Sequence, residues 1–279
     1  MKNITAELIL SYERHLIEEE KSASTVEKYI RDITAFFNWT GGKALEKTDI
    51  LKYKEFLTLN YAPASVNSIL SSLNSFFVYN EWYNLKVKTL KIQRQIFSGE
   101  DKELTKAEYE RLLDAAKSKG NEKLYFLMQT ICSTGIRVSE LKFITVESLR
   151  KKRATINLKG KMRIVIIPES LCKTLLKYAQ KRNITTGSVF ISRNGNPLDR
   201  SSIWKLMKNL CESAGVKKEK VFPHNLRHLF ARTFYSLQKD IVRLADILGH
   251  SSVNTTRIYT MDTGLIHRRQ IQKLGLLKC

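Results

Sequence analysis

The sequence is poor in cysteine, and its four cysteines form no recognisable pattern. Cys132, Cys172, Cys211 and Cys279 are widely separated and include no C-x-x-C spacing. This argues against both a zinc site and a disulfide framework. No apolar run approaches the roughly 18 residues of a membrane-spanning helix, and the start MKNITAELIL lacks the layout of a signal peptide. We therefore expect a soluble, cytoplasmic protein without a membrane segment.

Acidic residues are scarce relative to basic ones. The 279 residues include 48 Lys and Arg but 27 Asp and Glu, which gives a formal net charge of +21 at pH 7. Residues 1–97 hold 13 basic and 11 acidic residues, so nearly all of the excess lies in residues 98–279. This balance favours a polyanionic partner, because Lys and Arg release the counterions condensed on phosphates. Nucleic acid and an anionic membrane surface both fit the charge alone.

The periodicity of apolar residues divides the chain into two predicted domains. Residues 1–95 read as four short amphipathic helices, the first with apolar residues at four-residue steps. Periodicity lapses between about 91 and 104, and we place a linker at 96–104. The second domain is predicted to cover 105–279 and to begin with a helix capped by Thr105, with Glu108 completing a capping box.

Strand signals occur only in the middle of the second domain. Residues 154–167 predict a β-hairpin with Lys159-Gly160-Lys161 at its tip, and 188–192 predict a third strand. Helical patterns then resume. The predicted fold class is therefore mainly α with a small β-sheet: a four-helix N-terminal domain followed by an α+β domain.

Four separated motifs contain residue types suited to phosphoryl transfer. Two guanidiniums, Arg137 and Arg227, match the paired oxygens of a phosphodiester under attack. The Tyr259 hydroxyl, with an ordinary pKa of about 10, needs a base, and a departing DNA oxygen needs an acid. His224 and Lys161 suit these two tasks. The motifs are TGIRVSEL (134–141), GKMRIVIIP (160–168), HNLRH (224–228) and LGHSSVNTTRIYT (248–260).

A sixth residue of these motifs, His250, is predicted to follow the end of a helix. An apolar helical face around Leu244 and Leu248 is followed by Gly249, a residue type common just after helices. We expect the His250 ring to be free to reach a ligand. Either Ser252 or Asn254 can cap the next helix, which carries Tyr259.

Together these motifs resemble the tyrosine recombinase (phage integrase) family in its compact, Xer-like form. The family pattern is Arg, Lys, His-x-x-Arg, His or Trp, and Tyr, in this order. The resemblance implies that the N-terminal part is a core-binding, SAM-like DNA-binding domain and that the second domain is catalytic. It implies that Tyr259 is the nucleophile and that Arg137 and Arg227 bind the phosphate. It implies that Lys161 is the general acid and that His224 accepts a proton. His250 and Glu140 would support the site.

The resemblance also implies partners and a reaction. Tyr259 would cut one strand of double-stranded DNA and hold its end as a 3′-phosphotyrosyl bond. Four protomers, monomeric in solution, would assemble on paired sites and exchange strands through a Holliday junction, with neither metal nor cofactor and with possible accessory proteins. The biological role would be integration or excision of a mobile element, or Xer-like dimer resolution. The apolar tail 262–279 would dock on a neighbouring protomer or pack on its own domain.

Several alternatives stay open from the sequence. The hairpin is shorter than the family's usual turn, so Lys159 or Arg163 competes with Lys161 for the role of acid. The spacing of His224 and His228 permits a zinc site, although no third ligand is evident. A type IB topoisomerase uses similar chemistry, and a non-catalytic DNA-binding factor represents a different class of function.

Overall fold

The computed structural model describes residues 2–92, 103–158, 161–260 and 273. The chain folds into two compact units, Met1–Arg94 and Gln95–Cys279. The predicted linker, 96–104, falls mostly outside the described residues, and its bounds stay a prediction. The tail 262–279 also lies outside them, apart from Lys273. Within the described ranges, no helix is long and apolar enough to cross a membrane.

The N-terminal unit confirms the prediction of four helices. Their apolar faces meet in one core, in which Ile33, Phe36 and Leu70 are fully buried. Pro63 stands in the first turn of the fourth helix, where its missing N–H costs no hydrogen bond. The helices are α1 (Ala6–Glu18), α2 (Ala23–Thr40), α3 (Lys47–Asn60) and α4 (Pro63–Tyr79).

The second unit contains eight described α-helices and one hairpin. The Thr105 hydroxyl accepts a hydrogen bond from the Glu108 N–H, and the Glu108 carboxylate accepts one from the Thr105 N–H, so the capping box is confirmed. The elements are α5 (Lys106–Ser118), α6 (Glu122–Thr134), α7 (Val146–Arg150), β1 (Arg153–Leu158), β2 (Lys161–Ile166), α8 (Glu169–Lys181), α9 (Arg200–Lys208), α10 (Pro223–Gln238), α11 (Ile241–Leu248) and α12 (Val253–Thr256).

Strands β1 and β2 form the predicted antiparallel hairpin. Ala154 pairs with Val165, and Ile156 pairs with Arg163. Because side chains alternate across a strand, these four residues share the inner face, where the three apolar ones are buried in the core. Met162, Ile164 and Ile166 lie exposed on the outer face.

The third strand predicted at 188–192 is wrong for the described structure. Two isolated bridges occur there instead, Thr145 with Ser188 and Ile191 with Pro197. The second bridge is flanked by hydrogen bonds from the Ser192 N–H to the Asn196 carbonyl and from the Leu198 N–H to the Phe190 carbonyl, and it stays isolated. The predicted fold class, mainly α with a small sheet, is confirmed.

A small apolar cluster lies apart from the main core of this unit. It packs the end of α10 against α11 and the segment that follows it, and we call it the Tyr259 cluster. Its buried members are Ala231, Leu244, Leu248 and Tyr259, and Phe230, Phe234 and Tyr235 pack against them.

The C-terminal end of α6 approaches this cluster closely. Gly135 ends α6 in the left-handed conformation, with φ of 64°. A Cβ atom at this position would lie 2.4 Å from Cδ1 of Phe230. Glycine is therefore required here for two reasons, its backbone conformation and the ring above it.

Candidate active site

Tyr259 is held by the turn that the sequence predicted. Gly249 ends α11 with φ of 63°, which confirms its predicted place after the helix. Of the two predicted caps, Ser252 is the one used, since its side chain accepts a hydrogen bond from the Asn254 N–H. After α12, a 3-10 helix at Arg257–Thr260 carries Tyr259, whose residue surface is 4% exposed.

Arg227 lies next to Tyr259 and is buried, with 1% of its surface exposed. Its Nη1 donates to the Gly135 carbonyl at 2.5 Å and its Nη2 to the Leu248 carbonyl at 2.8 Å. Among the described residues its buried Nε has no hydrogen-bond partner. Burial and the charge of Arg137 lower the pKa of Arg227 to about 10, although the neighbouring Tyr259 raises this pKa. Arg227 is therefore a cation at neutral pH.

His250 is fixed by Arg227 rather than free. Its Nε2 lies 2.9 Å from Nη2 of Arg227, and its Nδ1 lies 2.8 Å from Oγ1 of Thr256. A guanidinium can only donate, so Nε2 accepts and Nδ1 carries the proton. Burial and Arg227 lower the pKa of His250 to about 4, which agrees with a neutral ring. The prediction of a free ring is wrong, because both nitrogens are bound.

Histidine rings pack on Tyr259 from two elements. The His250 ring stacks on the Tyr259 ring with centroids 5.8 Å apart, and the His228 ring meets it edge to face at 4.5 Å. His224 contacts His228 in turn, with ring centroids 4.7 Å apart. Burial lowers the pKa of both His224 and His228, that of His228 to about 4. These neutral rings restrict the orientation of the tyrosine.

Arg137 is the more accessible of the two predicted phosphate-binding arginines. Its side chain is 40% exposed, and its Nη1 donates to the Glu140 carboxylate at 3.0 Å. The buried Glu140 also accepts a hydrogen bond from the Arg137 N–H at 2.7 Å. Burial alone raises the pKa of Glu140, but its bonds to Arg163 and Arg137 outweigh this and lower it. Glu140 therefore orients Arg137 as an ionised carboxylate.

The structure limits the choice of general acid. The Arg163 guanidinium binds Glu140 at 2.5 Å and the Ile247 carbonyl at 2.6 Å. An arginine held in this way is a poor proton donor, because its guanidinium stays charged in proteins. Lys161 begins β2, where its backbone pairs with Leu158, whereas Lys159 lies outside the described residues. Lys161 as the general acid, with Lys159 as its alternative, stays a prediction.

Arg163 is the residue of this site whose position the sequence interpretation missed. It precedes Val165 and Ile167 at two-residue steps, and both of these are buried. A charged residue that continues an inward-facing row of a strand must find a buried partner. This pattern in the sequence indicates that Arg163 points inward and pairs with a buried acid.

The assembled site is positive and polar. The guanidiniums of Arg137 and Arg163 bind the Glu140 carboxylate, and the charge of Arg227 adds to theirs, so two positive charges stay uncompensated. Tyr259 lies against this cluster with neutral histidines around its ring. Such a site can bind a phosphodiester and present a hydroxyl nucleophile to it. In the described ranges, no three His, Cys, Asp or Glu side chains are grouped to hold a metal ion.

Both units resemble known protein families. Residues 102–264 match the phage integrase family, and residues 9–84 match the N-terminal SAM-like domain of phage integrases. The tyrosine recombinase XerA of Pyrococcus furiosus is 27% identical over 286 residues, which cover 99% of this chain and 97% of that protein. The tyrosine recombinase XerD of Listeria monocytogenes is 28% identical over 277 residues, covering 90% and 92%.

Solved structures share the fold. The lambda integrase tetramer bound to a Holliday junction matches with a TM-score of 0.72 and 19% identity, over 94% of this chain and 78% of that one. At this level of identity the likeness concerns the fold alone.

Proposed function

The chain belongs to the phage integrase family and is a tyrosine recombinase, and from this membership we propose that Tyr259 is its nucleophile, Arg137 and Arg227 its phosphate-binding residues, and double-stranded DNA its substrate. The relatives that span nearly its whole length are tyrosine recombinases by name. The alternative of a topoisomerase is not favoured by these relatives.

One observation carries the proposal for the site. The fully buried guanidinium of Arg227 binds His250 and lies beside Tyr259, while its Nε has no partner among the described residues. A buried, unpaired donor on a cation is costly unless a ligand accepts from it. A phosphate oxygen placed between Arg227 and Arg137 would satisfy this donor and bring phosphorus to the tyrosine hydroxyl.

The proposed reaction exchanges one ester for another. The Tyr259 oxygen attacks the scissile phosphorus, a P–O bond to tyrosine forms, and the P–O5′ bond breaks. His224 accepts the phenol proton, and Lys161 or Lys159 gives a proton to the leaving 5′ oxygen. Arg137 and Arg227 neutralise the charge that develops on the non-bridging oxygens. The phosphotyrosyl ester keeps the bond energy for rejoining, so no nucleotide is consumed.

His250 supports this chemistry without exchanging a proton. Its single N–H is engaged with Thr256, and its other nitrogen accepts from Arg227. The ring therefore orients the guanidinium and stacks on Tyr259 at the same time.

The finer predictions belong to the same proposal. We propose that the protein is a cytoplasmic monomer that assembles into a tetramer on two DNA sites and exchanges strands through a Holliday junction. The solved lambda integrase tetramer supports this geometry for the fold. The domain limits 1–95 and 105–279 stay part of the proposal, as do accessory proteins and the choice between mobile-element integration and dimer resolution.

A covalent-capture experiment tests the nucleophile. The protein is incubated with a library of duplex DNA, denatured in detergent, and the DNA that remains attached is sequenced to find the cleaved site. A duplex with that site and a nick just beyond it then traps the cleaved intermediate. The wild type should accumulate the adduct and Tyr259→Phe should give none. An adduct that persists in the phenylalanine variant would refute the assignment.

The same substrate separates the competing functions. A recombinase transfers the trapped strand to a second duplex that carries the site, whereas a topoisomerase reseals only the strand that it cut. A non-catalytic binding factor forms no adduct. Strand transfer to the second duplex is the result we expect.

A further inference from the structure

Arg163 joins three parts of the chain that are far apart in sequence. From strand β2 its guanidinium reaches Glu140 at 2.5 Å through Nη2 and the carbonyl of Ile247, in α11, at 2.6 Å through Nη1. Its Cδ lies so close to Gly249 that a Cβ there would be 2.3 Å away. The side chain is only 14% exposed.

Each of the three parts carries residues of the proposed reaction. Glu140 holds Arg137 through both the side chain and the backbone N–H. Gly249 directly precedes His250, and its carbonyl lies 3.4 Å from Nη2 of Arg137. Strand β2 begins with Lys161, two residues before Arg163. Among the described residues, Arg163 therefore links the lysine hairpin by hydrogen bonds to the rest of the site.

A purely structural role explains this arrangement poorly. The inner face of the hairpin continues with Val165 and Ile167, both buried, and an apolar residue at 163 would extend that row. A buried ion pair often stabilises a fold no more than a well-packed apolar replacement does, because both charges lose their water. Burying an arginine here costs folding free energy, so we look for a function that depends on the position of its guanidinium.

We propose that Arg163 is a positioning residue that holds the hairpin bearing Lys161 and Lys159 on the Arg137–Glu140 pair and the His250 turn. In this role Arg163 touches neither DNA nor the reacting atoms. It fixes where the general acid stands relative to the phosphate. The inference rests on the proposed function, since it assumes that the hairpin supplies the acid.

The first test separates binding from cleavage. Arg163→Lys keeps the charge but loses the forked contacts, and Arg163→Ala loses both. Single-turnover cleavage of the nicked duplex at saturating protein should fall by about tenfold or more in each variant, while DNA affinity changes by less than about threefold. Arg153→Ala is the matched control, because it removes an exposed arginine from the same hairpin. Equal losses in the control would overturn the proposal.

A second test asks whether the loss concerns the acid. A duplex with sulfur in place of the bridging 5′ oxygen releases a thiolate, which needs no proton from the enzyme. On this substrate the Arg163 variants should regain most of the lost cleavage rate, and Arg137→Ala should not. A defect of Arg163→Lys that is as large with sulfur as with oxygen would overturn the positioning of the acid.

A third test uses the close contact between Arg163 and Gly249. In the wild-type background, Gly249→Ala forces a methyl group onto Arg163 Cδ. In the Arg163→Ala background that clash is gone and only the backbone strain is left. Cleavage should fall by about tenfold in the first case and by less than about threefold in the second. If Gly249→Ala slows cleavage by the same factor in both backgrounds, the contact between Arg163 and Gly249 does not explain the loss.

Failure of this inference can be told apart from failure of the proposed function. If Tyr259→Phe still forms the adduct, the function itself is wrong. If Tyr259→Phe abolishes the adduct while both Arg163 variants cleave at the wild-type rate, only the role of Arg163 is wrong.

Discussion

Substituting alanine for Gly135 tests how the end of α6 is joined to the Tyr259 cluster. The residue has φ of +64°, and its new Cβ would lie 2.4 Å from Cδ1 and 2.6 Å from Cε1 of Phe230. The left-handed backbone costs an alanine about 1–2 kcal/mol, and crowding in a packed region adds about 1–3 kcal/mol. Gly135→Ala should therefore lower the free energy of unfolding by about 2–5 kcal/mol.

Gly120 provides the matched control for that substitution. It also follows a helix, with φ of +65°, but nothing lies within 4 Å of a Cβ built on it. Gly120→Ala should therefore cost only the backbone term, about 1–2 kcal/mol. Urea unfolding of both variants measures the difference. Equal losses of stability would refute the steric argument.

Gly135→Ala should also affect cleavage, because the Gly135 carbonyl accepts a hydrogen bond from Arg227. A shift of this carbonyl moves the guanidinium that we place on the phosphate. We expect the rate of adduct formation to fall by about tenfold or more in Gly135→Ala and to stay unchanged in Gly120→Ala. A Gly135→Ala protein that is destabilised yet cleaves at the wild-type rate would show that Arg227 does not depend on this contact.

Three further predictions concern the histidines and Arg137. Thr256→Val removes the acceptor of the His250 N–H and should slow single-turnover cleavage by about tenfold, whereas Thr256→Ser, which keeps a hydroxyl, should not; equal rates would count against it. Burial lowers the pKa of His228 from 6.5 to about 4, so below pH 6.5 the unfolded chain takes up the proton first and stability falls. His228 should account for about 2 kcal/mol of the loss between pH 7.5 and pH 5 in urea unfolding. His228→Phe should lose less stability over this interval, and an identical pH dependence would exclude His228 as the source. Arg137→Lys keeps the charge but loses the fork, so it should slow cleavage by more than it weakens DNA binding in a filter-binding assay; equal losses would mean that Arg137 serves binding alone.

Local signals in the sequence predicted the elements that depend on nearby residues. The capping box of Thr105 and Glu108 involves residues three apart, and the glycine after α11 marks that helix end without help from the rest of the fold. The hairpin followed from alternating apolar residues. The prediction of a strand at 188–192 failed because its partners are the single residues Thr145 and Pro197 rather than a neighbouring strand, which the apolar run itself does not reveal.

The parts of the site that the sequence did not predict depend on contacts between distant residues. His250 was expected to be free, because nothing near it in sequence indicates that Arg227, 23 residues earlier, supplies a donor to its ring. Arg163 is an alternative proton donor in the sequence interpretation, because the hairpin is shorter than the usual turn of the family that it resembles. Its pairing with Glu140 becomes visible only when β2 packs against the segment after α6.

The Tyr259 cluster has a consequence for when the proposed nucleophile becomes available. Among the described residues the cluster has four buried apolar side chains and three partly buried aromatic ones, and it lies outside the main core. The rings of His228 and His250 add contacts to Tyr259. Opening the segment exposes that small surface and leaves the larger core closed, so it requires less free energy than unfolding the unit. Backbone amides of Arg257–Thr260 should therefore exchange with solvent deuterium faster than those of α6. The fraction of time that the tyrosine spends displaced is then set by a local equilibrium, which a bound DNA phosphate can shift without disturbing the fold.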